Sequence, residues 1–263
     1  MNLLLDQYDD SKNFMARVEL NRKFKTNPYS WLLWIFDHIH FPKGARVLEI
    51  GCGNALLWKS NLSRVPADAH ILLSDFSEGM LNDARNVLGD AMDKFEYEVI
   101  DAQQIPYPDS SFDIVIANLM LYHIPDRKNA IYEISRVLKI DGAFYATTFG
   151  IDNMKELNDL VANYDSKIYY SLEPFARAFG LENGEEQLSE YFKEIKIIKY
   201  LDSLEITEPG PLVDYLFSFG NVKEAITGQR IEEFWNYIAN ILEKEEKIEI
   251  TKDTGIFIAK KPK

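Results

Sequence analysis

Hydrophobic and polar positions follow two rhythms along this chain. From Arg46 to Phe149, short apolar runs alternate with longer segments whose apolar residues recur three and four apart. A short apolar run bounded by turn residues reads as a buried strand, and the 3.6-residue period reads as helix. The pattern predicts strands at Val47–Ile50, His70–Asp75, Phe95–Asp101, Phe112–Asn118 and Ala143–Phe149. Between them it predicts a helix from about Asn54 to Leu62, one capped by Ser77 through Leu88, and one capped by Asp126 through Leu138 and stopped by Asp141-Gly142. Strict alternation of this kind predicts an α/β fold, with a parallel sheet covered by helices on both faces.

The flanks are different. Asn13 to Lys25 and Tyr29 to His40 have helical spacing, with Pro28 placed for the first turn of the second helix and Thr26 or Asn27 as its cap. Beyond Gly150 the segment 151–182 is irregular and helical, Gly184–Phe192 reads as helix and Glu194–Ile206 as a long strand. Pro209-Gly210-Pro211 opens a helical region reaching about Glu243, and Glu249–Ile250 and Gly255–Lys260 close the chain as strands around Lys252-Asp253-Thr254. This predicts one domain over 1–263: a helical cap at 1–41, an α/β core at 42–150, a helical insertion or lid at 151–182, and the rest of the sheet with a further helical insertion at 183–263.

Composition narrows the function classes. The net charge of −13 disfavours general binding to nucleic acid or anionic membrane. Cys52 is the sole cysteine, so no internal disulfide forms and a structural zinc site is not expected. His38 and His40 are two apart and cannot share a helix face, and His70 opens a strand, so no metal site is expected. No apolar run has the length of a membrane span. The start, Met1-Asn2-Leu3-Leu4-Leu5-Asp6, lacks the basic region of a signal peptide. The expectation is a soluble, cytoplasmic protein.

Candidate chemistry sits at the strand ends. The first strand runs into Glu49-x-Gly51-Cys52-Gly53, the second ends in Asp75, the third in Asp101-Ala102 and the fourth in Asn118. Glycines let backbone N–H groups approach a ligand ahead of a helix N-terminus. Asp75 alone also reads as a helix N-terminal acid beside Ser77, and Asp101 as a loop-start residue. Their joint occurrence is more telling, because ligands bind at the carboxyl ends of strands in such sheets.

With these pieces the chain resembles the class I S-adenosylmethionine (SAM)-dependent methyltransferases of the small-molecule group. The resemblance rests on Val47-Leu48-Glu49-Ile50-Gly51-Cys52-Gly53-Asn54, Leu73-Ser74-Asp75-Phe76-Ser77, Asp101-Ala102-Gln103-Gln104-Ile105-Pro106 and Ser111-Phe112-Asp113-Ile114-Val115-Ile116-Ala117-Asn118. Tyr122-His123-Ile124-Pro125-Asp126 and Val137-Leu138-Lys139-Ile140-Asp141-Gly142 also fit, and the match covers about residues 44–149. It implies a Rossmann-like, mostly parallel seven-stranded sheet whose last strand is antiparallel, with a helical lid. It implies that Gly51, Cys52 and Gly53 line the methionine moiety of SAM and that Glu49 orders its ammonium. It further implies that Asp75 holds the ribose hydroxyls, Phe76 and Met80 flank the adenine, Asp101 and the Ala102 N–H read the adenine edge, and the Asn118 backbone lies near the methionine end. One departure is Ala55, where many members have glycine; alanine suits the turn if its φ is negative.

His123, just after the fourth strand, is the candidate general base; it also reads as a packing or capping residue of the next helix. Residues 1–41 hold eight aromatics and 164–237 hold fourteen. Tyr169, Tyr170, Phe175, Phe179, Tyr215, Phe217 and Phe219 are candidates for a pocket wall or for plain packing. Together they favour a small, partly apolar methyl acceptor. Thr26-Asn27-Pro28-Tyr29 is similar to the Asn-Pro-Pro-Tyr motif of amino-directed DNA methyltransferases, but it lacks the second proline and precedes the glycine turn. The competing readings are an NAD(P)-dependent oxidoreductase, which would want a small residue where Leu56 stands, and a non-catalytic SAM-binding protein.

Overall fold

The computed structural model describes residues 11–263. The signal-peptide reading and the start of the expected N-terminal cap fall on residues 1–10, outside the described residues. The chain divides into two compact units. One, here the sheet unit, holds residues 29–150, 175–200 and 254–263. The other, the helical unit, holds described residues up to 28 together with 151–174 and 201–253.

The sheet unit is built on β1 (Arg46–Ile50), β2 (His70–Asp75), β3 (Glu96–Val99), β4 (Phe112–Asn118) and β5 (Leu138–Phe149), to which β6 (Phe192–Ile206) and β7 (Ile248–Pro262) add residues 192–200 and 254–262. The strand order is β3-β2-β1-β4-β5-β7-β6. Strands β1 to β5 pair in parallel, and β7 pairs antiparallel with β5. Alternate side chains serve opposite faces. Leu48, Leu72, Val115 and Phe144 join one apolar cluster, while Val47, Ile71, Leu73, Ile114, Ile116 and Tyr145 join the other. Burying one such side chain fully contributes about 1.5–3 kcal/mol.

The helices of this unit are α2 (Trp31–His38), α3 (Leu56–Asn61), α4 (Glu78–Leu88), α5 (Arg127–Val137), α7 (Glu173–Ala178) and α8 (Gly184–Ser189), the start of α7 lying in the helical unit's share of the chain. Ser77 and Asp126 cap α4 and α5 as expected, each side chain accepting an N–H from Met80 or Asn129. Three local expectations are corrected. Asp141-Gly142 does not end α5: the helix stops at Val137, and β5 begins at Leu138. Between Leu138 and Ala143 the strand bulges, since these residues pair with Phe112 and Ile114. A Cβ on Gly142 would come within 2.9 Å of the Asp113 carbonyl, so the glycine serves a close backbone approach there. Secondly, Thr26 and Asn27 do not cap α2; Ser30 holds that position, and both residues bond instead to Asp202. Thirdly, the chain ends in one continuous strand, β7, with no break at Lys252-Asp253-Thr254.

The helical unit contains α1 (Ser11–Phe24), α6 (Glu156–Tyr164), α9 (Pro209–Phe217), α10 (Gly220–Ala225) and α11 (Arg230–Glu245). It has its own core of Leu20, Leu157, Val161, Leu212, Leu216, Phe234 and Ile238. The expected insertion 151–182 is therefore shared, with 151–174 in this unit and 175–182 in the sheet unit. No helix among the described residues is long and apolar enough to cross a membrane.

Candidate cofactor site

Parallel pairing brings the marked residues to one end of the sheet. In register, Ile50 lies opposite Ser74 and Ala117, Asp75 opposite Val99, and Asn118 opposite Thr147. Glu49, Asp75, Asp101 and Asn118 thus emerge from neighbouring strand ends although up to 69 positions apart in sequence.

The turn after β1 is left-handed at three positions, Gly51 (φ +67°), Gly53 (φ +55°) and Ala55 (φ +60°). A Cβ on Gly51 would meet the Met120 side chain at 3.0 Å, whereas one on Gly53 would meet nothing within 4 Å. Gly53 therefore leaves room for a ligand against its backbone. Ala55 corrects the expectation of a negative φ. An L-residue in this region carries a strain of about 1–2 kcal/mol. Its fully buried methyl offsets part of that cost, and its carbonyl accepts the Trp58 and Lys59 N–H groups that start α3. Two substitutions separate strain from crowding. Gly53→Ala is expected to destabilise by about 1 kcal/mol through φ alone, and Gly51→Ala by more, because Met120 must also move; denaturant unfolding of both variants checks the order.

Asp75 is held by the turn it faces. Its Oδ2 accepts the Gly53 N–H at 3.0 Å and its Oδ1 the Ser77 N–H at 2.9 Å. Burial raises its pKa, and the N–H groups of Ser77, Gly53 and Phe76 counter part of the rise. Glu49 is 1% exposed and accepts the indole N–H of fully buried Trp58 at 2.5 Å. Burial lifts its pKa to about 8, Trp58 opposes the rise and the Asp75 charge adds to it. Cys52 is buried, and desolvation first, then Glu49 and Asp75, push its thiol far up, so it is an unreactive member of the turn.

At the third strand end, Asp101 accepts from the Gln103 backbone N–H at 2.9 Å and from its side-chain amide at 3.0 Å, and the neighbouring Ala102 is buried. Phe76 stands out from the surface at 62% exposure, while Met80 is buried. Thr147 donates to Asn118 Oδ1 at 2.5 Å and accepts the Leu119 N–H at 2.9 Å, which fixes the turn after β4. His123 follows in a short helical turn, its ring 4.5 Å from Tyr122 and 5.2 Å from Phe175, centroid to centroid. Tyr122 also meets Phe149, the last residue of β5, at 5.0 Å.

Sequence reasoning missed Trp58, Met120 and Thr147. No local pattern marks them, because each acts on a partner from another strand or turn. Of the aromatics expected to line a pocket, Tyr170, Tyr215 and Phe219 pack in the core of the helical unit with Phe217 against it, and Phe179 lies in a core of the sheet unit. Tyr169 is exposed and Phe175 partly exposed.

The arrangement is a left-handed glycine turn flanked by carboxyl groups at the carboxyl end of a parallel sheet. In the comparison with known proteins, residues 48–146 match the family described as a methyltransferase domain. The chain is 28% identical over 141 residues to the ubiquinone/menaquinone biosynthesis C-methyltransferase UbiE of Vibrio cholerae, covering 52% of this chain and 54% of that protein. It is 38% identical over 101 residues to the 27-O-demethylrifamycin SV methyltransferase of Amycolatopsis mediterranei, covering 38% and 36% respectively. The chain thus spans about half the length, or less, of the curated relatives it matches. The solved structure of Haemonchus contortus phosphoethanolamine N-methyltransferase 2 with SAM shares the fold at a TM-score of 0.60 and 19% identity, over 100% of this chain and 60% of that one.

Proposed function

We propose that the protein transfers a methyl group from SAM to a small, partly apolar acceptor. The observation that carries this reading is the left-handed glycine turn set among carboxylates. Asp75, Asp101 and the carboxyl group of Glu49 stand at these strand ends, and the residues named there include no lysine or arginine. An acidic cradle suits a ligand with a sulfonium and an ammonium. It opposes the diphosphate of a dinucleotide, which favours SAM over NAD(P).

The residues present fit that cofactor. Gly53 leaves its backbone open, Glu49 offers a carboxyl that accepts from the neutral indole of Trp58, and both Asp75 oxygens retain lone pairs for ribose hydroxyls. Phe76 and Met80 are the residues for the adenine face, Asp101 and Ala102 for its edge, and the Asn118 backbone for the methionine end. When bound, SAM supplies an electrophilic methyl on sulfur. The protein's task is then alignment, which can supply much of the rate. Tyr122, Phe149 and Phe175 form an apolar wall beside His123. If the acceptor carries a proton, an imidazole nitrogen of His123 takes it. The two relatives, by their names, act on small-molecule acceptors, which supports the same class here.

Calorimetry with SAM, its demethylated product and NAD tests the cofactor, and binding of NAD alone overturns the reading. Transfer of labelled methyl from SAM into a metabolite extract tests catalysis; tight SAM binding without transfer would favour a non-catalytic SAM-binding protein. With the acceptor in hand, His123→Ala is expected to lower kcat by about 10²–10⁴-fold. An unchanged kcat removes His123 as base.

A further inference from the structure

In the sheet unit, the loop from Asp101 to Tyr107 is held by one stripe of α5. Asp126, the cap of this helix, and Asn129, Glu133 and Arg136 within it recur three and four apart, so they share a face. The Asn129 amide donates to the Gln103 carbonyl at 2.6 Å. Glu133 Oε2 accepts the Ile105 N–H at 2.9 Å, and Arg136 donates to the Ile105 and Tyr107 carbonyls at 3.0 and 2.8 Å. Asp126 gives its own backbone N–H to Gln103 Oε1 at 3.0 Å.

The Gln103 side chain is thereby clamped between two partners. A backbone N–H can only donate, so the amide oxygen faces Asp126 and the amide nitrogen faces Asp101. This order decides what the Asp101 carboxylate has left to offer. Its Oδ1 accepts the Gln103 backbone N–H at 2.9 Å and the side-chain amide at 3.0 Å. Its Oδ2 accepts the same amide at 3.2 Å and no other donor among the described residues. Each carboxylate oxygen offers about two acceptor sites. Oδ1 is filled, and Oδ2 keeps a place for one more donor. Without the amide, only the backbone N–H of residue 103 would hold the carboxylate, and it could turn about that single bond.

We propose that Gln103 is a positioning residue that makes the site selective for a 6-amino purine over a 6-oxo purine. The inference rests on the SAM reading, in which Asp101 and the Ala102 N–H meet the adenine edge. An exocyclic amino group donates to the open place on Oδ2. A 6-oxo purine presents a carbonyl there, and a carboxylate repels it. Two acceptors forced together cost more than a bond that is simply missing. That cost applies only while the carboxylate cannot turn away, and the amide of Gln103 prevents the turn. A recognition group is selective when the residues behind it fix its orientation.

The test is calorimetry of the full chain at pH 7 with S-adenosylhomocysteine and with its 6-oxo counterpart, S-inosylhomocysteine. The wild type is expected to prefer the adenine ligand by at least about 10-fold, the scale of a hydrogen bond to a charged group. Gln103→Leu keeps the length and removes the amide bonds. It is expected to lower that preference by about 3- to 10-fold, the scale of ordering one side chain. Gln103→Glu separates positioning from bracing, and keeps the test open if Gln103→Leu does not fold. Its carboxylate still accepts the Asp126 N–H but has no donor for Asp101, so the preference is expected to fall at least as far. A residue that only braced the loop against α5 would keep the preference in this variant. Failure of the wild type to bind either ligand overturns the SAM reading, and this inference with it. Equal affinities in the wild type, or a preference that survives in the variants, overturn the inference alone and leave the SAM reading standing.

Discussion

Asp75→Ala is expected to weaken SAM binding by roughly 10- to 150-fold, about 1.5–3 kcal/mol, the scale of lost hydrogen bonds to a charged group. The geometry explains why so much rests on one carboxylate. Its two oxygens are oriented by the Gly53 and Ser77 N–H groups, so the lone pairs left over point in fixed directions at the end of β2. Ribose hydroxyls can then bind without further ordering of the side chain, and little entropy offsets the gain. The alanine variant also frees the Gly53 N–H and loosens the turn. Asp75→Asn keeps the size and one carbonyl oxygen, and is expected to fall between wild type and alanine. Folding should survive both changes, because the native environment raises the Asp75 pKa and thus disfavours its charge. Calorimetry with SAM reads the series, and equal affinities would take Asp75 out of the ribose site.

The parts of this protein legible in its sequence are those with short-range causes. Strands β2 and β4 match their apolar runs, and Ser77 and Asp126 cap the helices that follow, because each signal lies within a few residues of its effect. The marked strand ends were legible for the same reason. Gly142 was not, since its role depends on the Asp113 carbonyl of the neighbouring strand. Ala55 was misread because composition alone does not fix the sign of φ; a turn already left-handed at Gly51 and Gly53 carries it there. The aromatics were harder still. Tyr170 and Tyr215 share their residue type with a substrate wall, yet they pack inside the helical unit, because hydrophobic burial acts on any aromatic that the chain brings inward.

Glu49 should impose a pH dependence on both stability and cofactor binding. Its folded pKa of about 8 lies above the value near 4.5 of a free glutamate. Between those values the native protein holds a proton that the unfolded chain has released. Stability therefore falls as pH rises through the window from about 4.5 to about 8, and Glu49 contributes no such penalty below it. The whole shift corresponds to an upper scale on the order of 3–5 kcal/mol. Glu49→Gln keeps the shape and an acceptor for the Trp58 indole but cannot ionise. At pH 5 it is expected to match the wild type, and at pH 8.5 to exceed it by up to a few kcal/mol. Asp75, raised in the same direction, contributes a slope of the same sign, and the difference between wild type and variant isolates Glu49 together with its repulsion of Asp75. A bound ammonium inverts the preference, because an adjacent cation favours the ionised carboxylate. SAM binding then releases a proton near pH 7, visible as a heat that depends on the buffer's ionisation enthalpy. Wild-type affinity is expected to climb toward pH 8 and decline above it, where an α-amino group loses its own proton at about 7.7–8.0. The Gln variant loses the climb and binds at least about 10-fold more weakly at pH 8, the scale of a hydrogen bond to a charged group. A buffer-independent binding heat in the wild type at pH 7, with parallel stability curves for the two proteins, would mean that Glu49 is already ionised in the empty site and that burial does not hold its proton.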